Sequence, residues 1–340
     1  MLGSLTLFLL LSSASGQLLC PEPAPEDIAP CTCTYEGSPD FIVVDCSDAN
    51  DDEQTAALND VFWPITEITE FRLLGNIGLT SLPEGHFGNL TFESIRMEYT
   101  SIASVHPQGI LQSASRLTSL QLTSSVLEEF PFEMLPDLPV LKRLDLGHDR
   151  LPSVPAITSP SLEYLRLRYN RLSTLETGWN TPNLKTLDLG GNYISALPSG
   201  FFDSLGSLEE FWCDSCDLGP NVTAGSFRFQ GLAAETNVSL ALNEIVHLPE
   251  DAFRSILEDL SNGDGVLYLA SRRIGYEAFP MVSETGNPIV CDCSLKWLVT
   301  EASLLASVEG ECQDGTQLQD LNPEIWGSIC PFEEASPPSG

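Results

Sequence analysis

"LKTLDLGGNYISALPSGFFDSL", residues 184–205, sets Leu184, Leu187, Leu189, Asn192, Ile194, Leu197, Pro198, Phe202 and Leu205 in one frame. That frame reads L-x-x-L-x-L-x-x-N-x-[LI]-x-x-L-P-x-x-x-F-x-x-L. Successive side chains of a strand point to opposite faces. Leu187 and Leu189 therefore face inward, while Thr186 and Asp188 face outward. Asn192 follows where the strand ends, and its amide is suited to satisfy backbone groups that the turn leaves unpaired. One such unit cannot bury its own leucines, so copies must stack.

The copies are present. "LEYLRLRYNRLSTL" (162–175) and "LKRLDLGHDRLPSVP" (141–155) keep the frame, as do "LTSLQLTSSVLEEFP" (117–131), "FESIRMEYTSIASV" (92–105) and "ITEFRLLGNIGLTSLP" (68–83). C-terminal to them come "LEEFWCDSCDL" (208–218), "VSLALNEIVHLPEDAF" (238–253) and a decayed "LYLASRRI" (267–274). Starts at 68, 92, 117, 141, 162, 184 and 208 give a period of 21 to 25 residues. This resembles the leucine-rich repeat, whose units stack into a solenoid. The implied fold is an α/β solenoid: a horseshoe with a parallel concave β-sheet and an irregular convex side. Phe87, Phe202 and Phe253 are placed to fill the convex return.

Such an array needs caps over its apolar ends. "CPEPAPEDIAPCTCTYEGSPDFIVVDCS" (20–47) and "NPIVCDCSLKWL" (287–298), with Cys312 and Cys330 beyond, resemble the cysteine-rich caps of extracellular leucine-rich repeat proteins. That resemblance implies the pairs Cys20–Cys33, Cys31–Cys46, Cys291–Cys312 and Cys293–Cys330; four cysteines by themselves allow three connectivities. "MLGSLTLFLLLSSASGQ" has an apolar run too short for a spanning helix, which needs roughly 20 residues. It has the form of a signal peptide cut before Gln17. The expected organisation is a signal peptide at 1–16, an N-terminal cap at 17–66, and about nine repeats over 67–286. A C-terminal cap at 287–330 and a flexible tail at 331–340 complete it. A secreted, extracellular, disulfide-bonded protein without membrane insertion is the expectation.

Asp and Glu number 48 against 15 Lys and Arg, a net charge of −33. Phosphate backbones and anionic lipids are repelled by such a surface, which argues against nucleic-acid binding. The plainest role of the charge is solubility. The acidic composition, the overall size and the N-terminal cap through "VVDCSDANDDEQTAALNDVFWPITEITEFRLLG" resemble a narrower group. These are the non-catalytic subunits of secreted shrimp luciferases, the oplophorus-luciferin 2-monooxygenases. In that group a separate small subunit oxidises coelenterazine. The resemblance implies a protein partner and no cofactor or catalysis in this chain. A free extracellular recognition or matrix protein is the alternative.

Catalytic constellations are missing from the sequence. His86, His106, His148 and His247 fall at unrelated repeat positions, and His148 reads as a solvated loop residue. There is no G-x-S-x-G, H-E-x-x-H or P-loop. "DANDD" (48–52) begins like a calcium loop, but Glu53 stands where its turn glycine belongs, so it reads as a hydrated cap loop. No metal site is expected.

A partner would dock on the concave face. The column between the strand leucines is Arg72, Arg96, Gln121, Asp145, Arg166, Asp188, Trp212, Ser239 and Tyr268, with Arg143, Tyr164 and Arg168 beside it. Arg and Trp are residues of binding hot spots. The competing reading is an internal ladder in which Arg143, Asp145, Arg166 and Asp188 neutralise one another. Sequons occur at Asn89, Asn221 and Asn237, the last expected just before a strand. "FWCDSC" (211–216) puts Cys213 in a leucine slot and Cys216 in the Asn slot, both facing inward. Fully extended, three residues span roughly 10 Å, beyond disulfide reach. Two buried thiols are therefore expected, with a bridge requiring a tightened turn.

Overall fold

A computed structural model describes residues 20, 26–37, 40–229, 232–270 and 286–330. The expected signal peptide and tail lie outside them. Chain order starts with strands β1 (Thr32–Tyr35) and β2 (Ile42–Asp45), then helix α1 (Asp51–Thr55) and strand β3 (Glu67–Leu74). Next are β4 (Ser81–Leu82), β5 (Thr91–Glu98), β6 (Ser104–Val105), α2 (Pro107–Leu111) and β7 (Ser119–Thr123). Three-residue strands carry the middle: β8 (Arg143–Asp145), β9 (Tyr164–Arg166), β10 (Thr186–Asp188), β11 (Glu210–Trp212) and β12 (Asn237–Ser239). Helix α3 (Glu250–Asn262) and β13 (Val266–Tyr268) lead to the C-terminal cap, which holds α4 (Lys296–Val299), α5 (Ala302–Ala306), β14 (Val308–Glu309) and α6 (Pro323–Ile329).

All strands but β4 and β6 form one 12-stranded sheet, in chain order. It is parallel from β2 to β14; only the β1–β2 hairpin is antiparallel. Phe71, Ile95, Leu120, Leu144, Leu165, Leu187, Phe211, Val238, Leu267 and Val308 stand in register across it, all fully buried. Each such side chain contributes roughly 1.5–3 kcal/mol by leaving water. Behind them the convex layer is packed by aromatic rings. Phe87 sits 4.9 Å from both Phe71 and Phe92, Phe202 is 5.1 Å from Phe211, and Phe253 is 5.5 Å from Phe227.

The strand ends share one turn. Tyr99, Ser124, His148, Tyr169, Ser215 and Leu242 all have left-handed backbone, as do Gly75 and Gly191. After Gly75, Tyr169, Gly191 and Leu242 comes an asparagine whose side chain turns back into the body and donates to backbone carbonyls. Asn170 Nδ2 donates to Leu146 and Leu167 O at 2.7 and 3.0 Å, and Asn192 repeats this to Leu167 and Leu189 O at 3.0 and 2.6 Å. Asn243 continues to Cys213 and Leu240 O. Asn287 closes the ladder by donating to Leu240 and Leu269 O, although it lies well beyond the strand it serves.

That turn corrects the reading of "FWCDSC". Cys213 and Cys216 are bridged, with Cα atoms 5.4 Å apart. The left-handed Ser215, φ 54°, folds the chain back and brings the ends within reach. The same turn sets Asn192 against the carbonyl of Leu189, three residues earlier. Both cysteines are fully buried. The caps join Cys20 to Cys33, Cys31 to Cys46, Cys291 to Cys312 and Cys293 to Cys330. "DANDD" is solvent-exposed as expected except at Ala49, and its last two residues begin helix α1 rather than continuing a loop. Asn50 caps α1 reciprocally: its Oδ1 accepts from Glu53 N at 3.0 Å, and its N–H donates to Glu53 Oε2 at 2.8 Å.

One rung of the ladder is a carboxyl. Asp149 Oδ1 accepts from Ser125 and Leu127 N–H at 3.0 and 3.1 Å, while its buried Oδ2 has no partner. The next rung carries there the amide of Asn170, which donates to carbonyls. Burial raises the Asp149 pKa to about 7, aided by the charge of Asp145 and outweighing the two backbone N–H donors and Arg150. A protonated carboxyl can donate as the amide does.

Two outcomes follow from these contacts. Thiol titration of the denatured, unreduced protein should find no free cysteine, against the ten that reduction exposes. Because the folded pKa of Asp149 lies above its unfolded value, its contribution is intact below pH 4 and is lost as pH rises toward 7. Asp149→Asn should thus stabilise the protein at pH 8 by roughly 2–4 kcal/mol and change little at pH 4, read from melting curves.

Candidate functional site

The concave face is built by the strand residues that alternate with the buried ones. The register aligns Asp45, Arg72, Arg96, Gln121, Asp145, Arg166, Asp188, Trp212, Ser239, Tyr268 and Glu309 in one continuous column. The strand pairing also aligns Ser119, Arg143, Tyr164, Thr186, Glu210 and Asn237 beside it. These two columns hold Arg72, Arg96, Arg143, Tyr164, Arg166 and Trp212, and Arg168, just past the end of β9, joins them through Asp188.

The arginines are already engaged. Arg72 reaches Glu36 at 3.0 Å and Glu70 at 2.7 Å, and Arg96 holds Glu98 at 2.6 Å. Arg143 binds Asp145 Oδ2 at 2.9 Å while its guanidinium lies 3.8 Å over the Tyr164 ring. Arg166 sits between Asp145 Oδ2 (3.9 Å) and Asp188 Oδ2 (3.5 Å), by charge rather than through an aligned hydrogen bond at Nε. Arg168 reaches Asp188 Oδ1 at 3.8 Å and covers Tyr169 at 4.8 Å. The internal Arg–Asp ladder therefore exists. Its arginines still show 25–38% of their side-chain surface at Arg143 and Arg166, leaving part of each side chain open to solvent.

The aspartates have a second task. Asp145 and Asp188 accept the N–H of Gly147 and Gly190, two residues on, which fixes the strand exit. Burial pushes Asp188 up to about 6, overcoming Arg168, the Gly190 N–H and Arg166. Desolvation wins over pairing, so this pair is weak support for stability. Some members were not legible beforehand. Glu36 lies 36 residues from Arg72, and no local pattern links them. Asp214, two residues past Trp212, accepts from Ser239 Oγ at 2.5 Å and from Ala241 N–H.

The rim adds aromatic surface. His148 is half-buried with its ring 4.6 Å from Tyr169, rather than standing in solvent. Tyr169 in turn lies flat on Gly191, where an added Cβ would come within 2.2 Å of the ring; only glycine fits. Asn89 and Asn221 are exposed, whereas Asn237 is the first residue of β12, half-buried and in register with Glu210. Among the described residues no group of three or more His, Cys, Asp or Glu could hold a metal ion. No helix among them is long and apolar enough to cross a membrane.

The leucine-rich repeat family model matches residues 160–218. These include β9, β10, β11 and three turns of the ladder. The chain is a leucine-rich repeat solenoid with disulfide-bonded caps. It is 26% identical over 324 residues to the non-catalytic subunit of Oplophorus-luciferin 2-monooxygenase from Oplophorus gracilirostris, covering 91% of this chain and 88% of that one. It is 29% identical to the human leucine-rich repeats and immunoglobulin-like domains protein 2, over 57% of this chain but only 17% of that protein. Among solved structures it resembles a chain of the octameric complex of Latrophilin 3, Unc5D and FLRT2. The TM-score is 0.52 at 20% identity, covering 78% and 83% of the two chains, a likeness of fold.

Removing Arg166 leaves Asp188 with one fewer cation. Arg166→Ala should raise the Asp188 pKa further above about 6. Melting temperature should then fall more steeply between pH 5 and 8 than in the unsubstituted protein, since a raised carboxyl loses its contribution as pH rises.

Proposed function

We propose that this leucine-rich repeat protein is a secreted, non-catalytic protein-binding subunit, and that it accompanies and stabilises a small coelenterazine-oxidising subunit. Similarity to the Oplophorus gracilirostris non-catalytic subunit across nearly the full length of both chains carries this reading. The caps support it physically. Five disulfides suit an oxidising compartment, and four of them secure the caps that close the solenoid. The concave face is the docking surface, with Trp212 half-exposed at its centre and Tyr164, Arg143 and Arg166 beside it. These side chains are held by neighbouring strands, so little entropy is lost on binding. The alternative, a free extracellular recognition protein, would use the same face with a different partner.

Coexpression with a shrimp luciferase small subunit tests the reading. The two chains should co-elute, and the small subunit's luminescence should survive heating longer than when expressed alone. Separate elution with unchanged inactivation would refute it. Arg166→Ala with Trp212→Ala should abolish co-elution if the concave face is the contact. Exposed Asn89 and Asn221 are the proposed glycan carriers, and a glycan on Asn237 would crowd Trp212. Intact mass before and after enzymatic deglycosylation should show two occupied sites.

A further inference from the structure

The concave face has two chemically different halves. From Arg72 to Arg168 every arginine named above has a carboxylate within ion-pair distance. Cation and anion there are committed to one another. Beyond Arg168 the balance changes. Glu210 shares β11 with Trp212, two residues away on the same sheet face, and Asp214 follows in the turn beyond the strand, near enough to Arg168 for their charges to interact. Glu309 ends the same column, four strands from Asp188. Among the described residues no lysine or arginine lies within 4.0 Å of Glu210, Asp214 or Glu309 in an ion pair. Glu210 accepts only a long bond from Thr186 Oγ1 at 3.4 Å, and both hydrogen bonds to Asp214 fall on Oδ1.

We propose that this C-terminal half, centred on Trp212 between Glu210 and Asp214, seats a lysine- or arginine-rich segment of the protein partner. The inference rests on the concave face being the docking surface and names what fills it. An indole face bordered by carboxylates attracts a cation through both the ring quadrupole and charge. At net −33 the whole protein draws cations toward itself and repels anionic partners before contact. The N-terminal half offers no such preference, because its charges cancel locally. Strands about 4.8 Å apart place Trp212 and Glu309 roughly 14 Å from each other, a span that several residues of an extended peptide cover.

The test uses the full secreted chain and fluorescein-labelled decalysine, with an alternating Lys-Glu decapeptide as neutral probe, read by anisotropy at about 0.15 M salt. Glu210→Gln with Asp214→Asn should weaken decalysine binding at least tenfold, and Trp212→Ala at least threefold. Glu129→Gln with Glu133→Gln removes the same charge from an exposed convex segment and should change it less than twofold. Glu210→Gln alone, which touches no backbone hydrogen bond, should give a partial loss in the same direction and guards against misfolding of the double variant. Equal losses in the trough and control variants would overturn the proposal, since binding would follow diffuse charge; so would equal affinity for the neutral probe. If Arg166→Ala with Trp212→Ala abolishes partner co-elution while the trough carboxylates leave decalysine binding unchanged, the docking face stands and its cationic occupant falls. If co-elution survives that double substitution, the docking face itself falls.

Discussion

Where each short strand stops, its carbonyls face an interior without water, and each needs a donor. The left-handed residue at the turn swings the next side chain inward to supply one. Asn170, Asn192, Asn243 and Asn287 each bridge the carbonyls of two neighbouring repeats. An unpaired buried carbonyl would cost about 1–3 kcal/mol, so the rungs fix both the turn and the spacing of the strands. The register follows from that spacing, and the concave face follows from the register.

The exceptions to the ladder are informative. Asp149 keeps the acceptor side of an asparagine and lacks its donor, and the protein accommodates this by holding the carboxyl up near neutrality. Cys216 surrenders the donor too and is tied to Cys213 by a covalent bond. Between the two exceptions Asn170 and Asn192 keep the ladder, and beyond Cys216 Asn243 and Asn287 do. Leu189 O, opposite Cys216, still receives Asn192.

The same economy of neighbours explains the concave face. Fifteen cations in a chain of 48 acids must sit where carboxylates meet them; Arg72, Arg96, Arg143 and Arg166 lie on strands of one sheet, with Arg168 just past the end of β9. The arginine-bearing half is thereby rigid and nearly neutral. Among the described residues Glu210, Asp214 and Glu309 of the Trp212 half have no cation within ion-pair distance, although the charge of Arg168 reaches Asp214, so the two ends of one surface differ in the partner chemistry they favour.

The amino-acid sequence by itself determined the repeat, the inward column and the outward column. A leucine frame with a period of 21 to 25 residues admits one alternation of faces, and Arg72, Arg166 and Trp212 could be placed on it without coordinates. The tertiary structure decided how those side chains are matched. The Arg72–Glu36 pair, the closing rung at Asn287 and the addition of β14 to the sheet join residues distant along the chain, and no local pattern encodes such distances. It also decided the state of Cys213 and Cys216. Fully extended, their spacing is too long for a bridge, and the left-handed Ser215 folds the chain so that the two Cα atoms stand 5.4 Å apart. Backbone reversal at a turn is a property of the packed repeat, which is why the motif read alone pointed the other way.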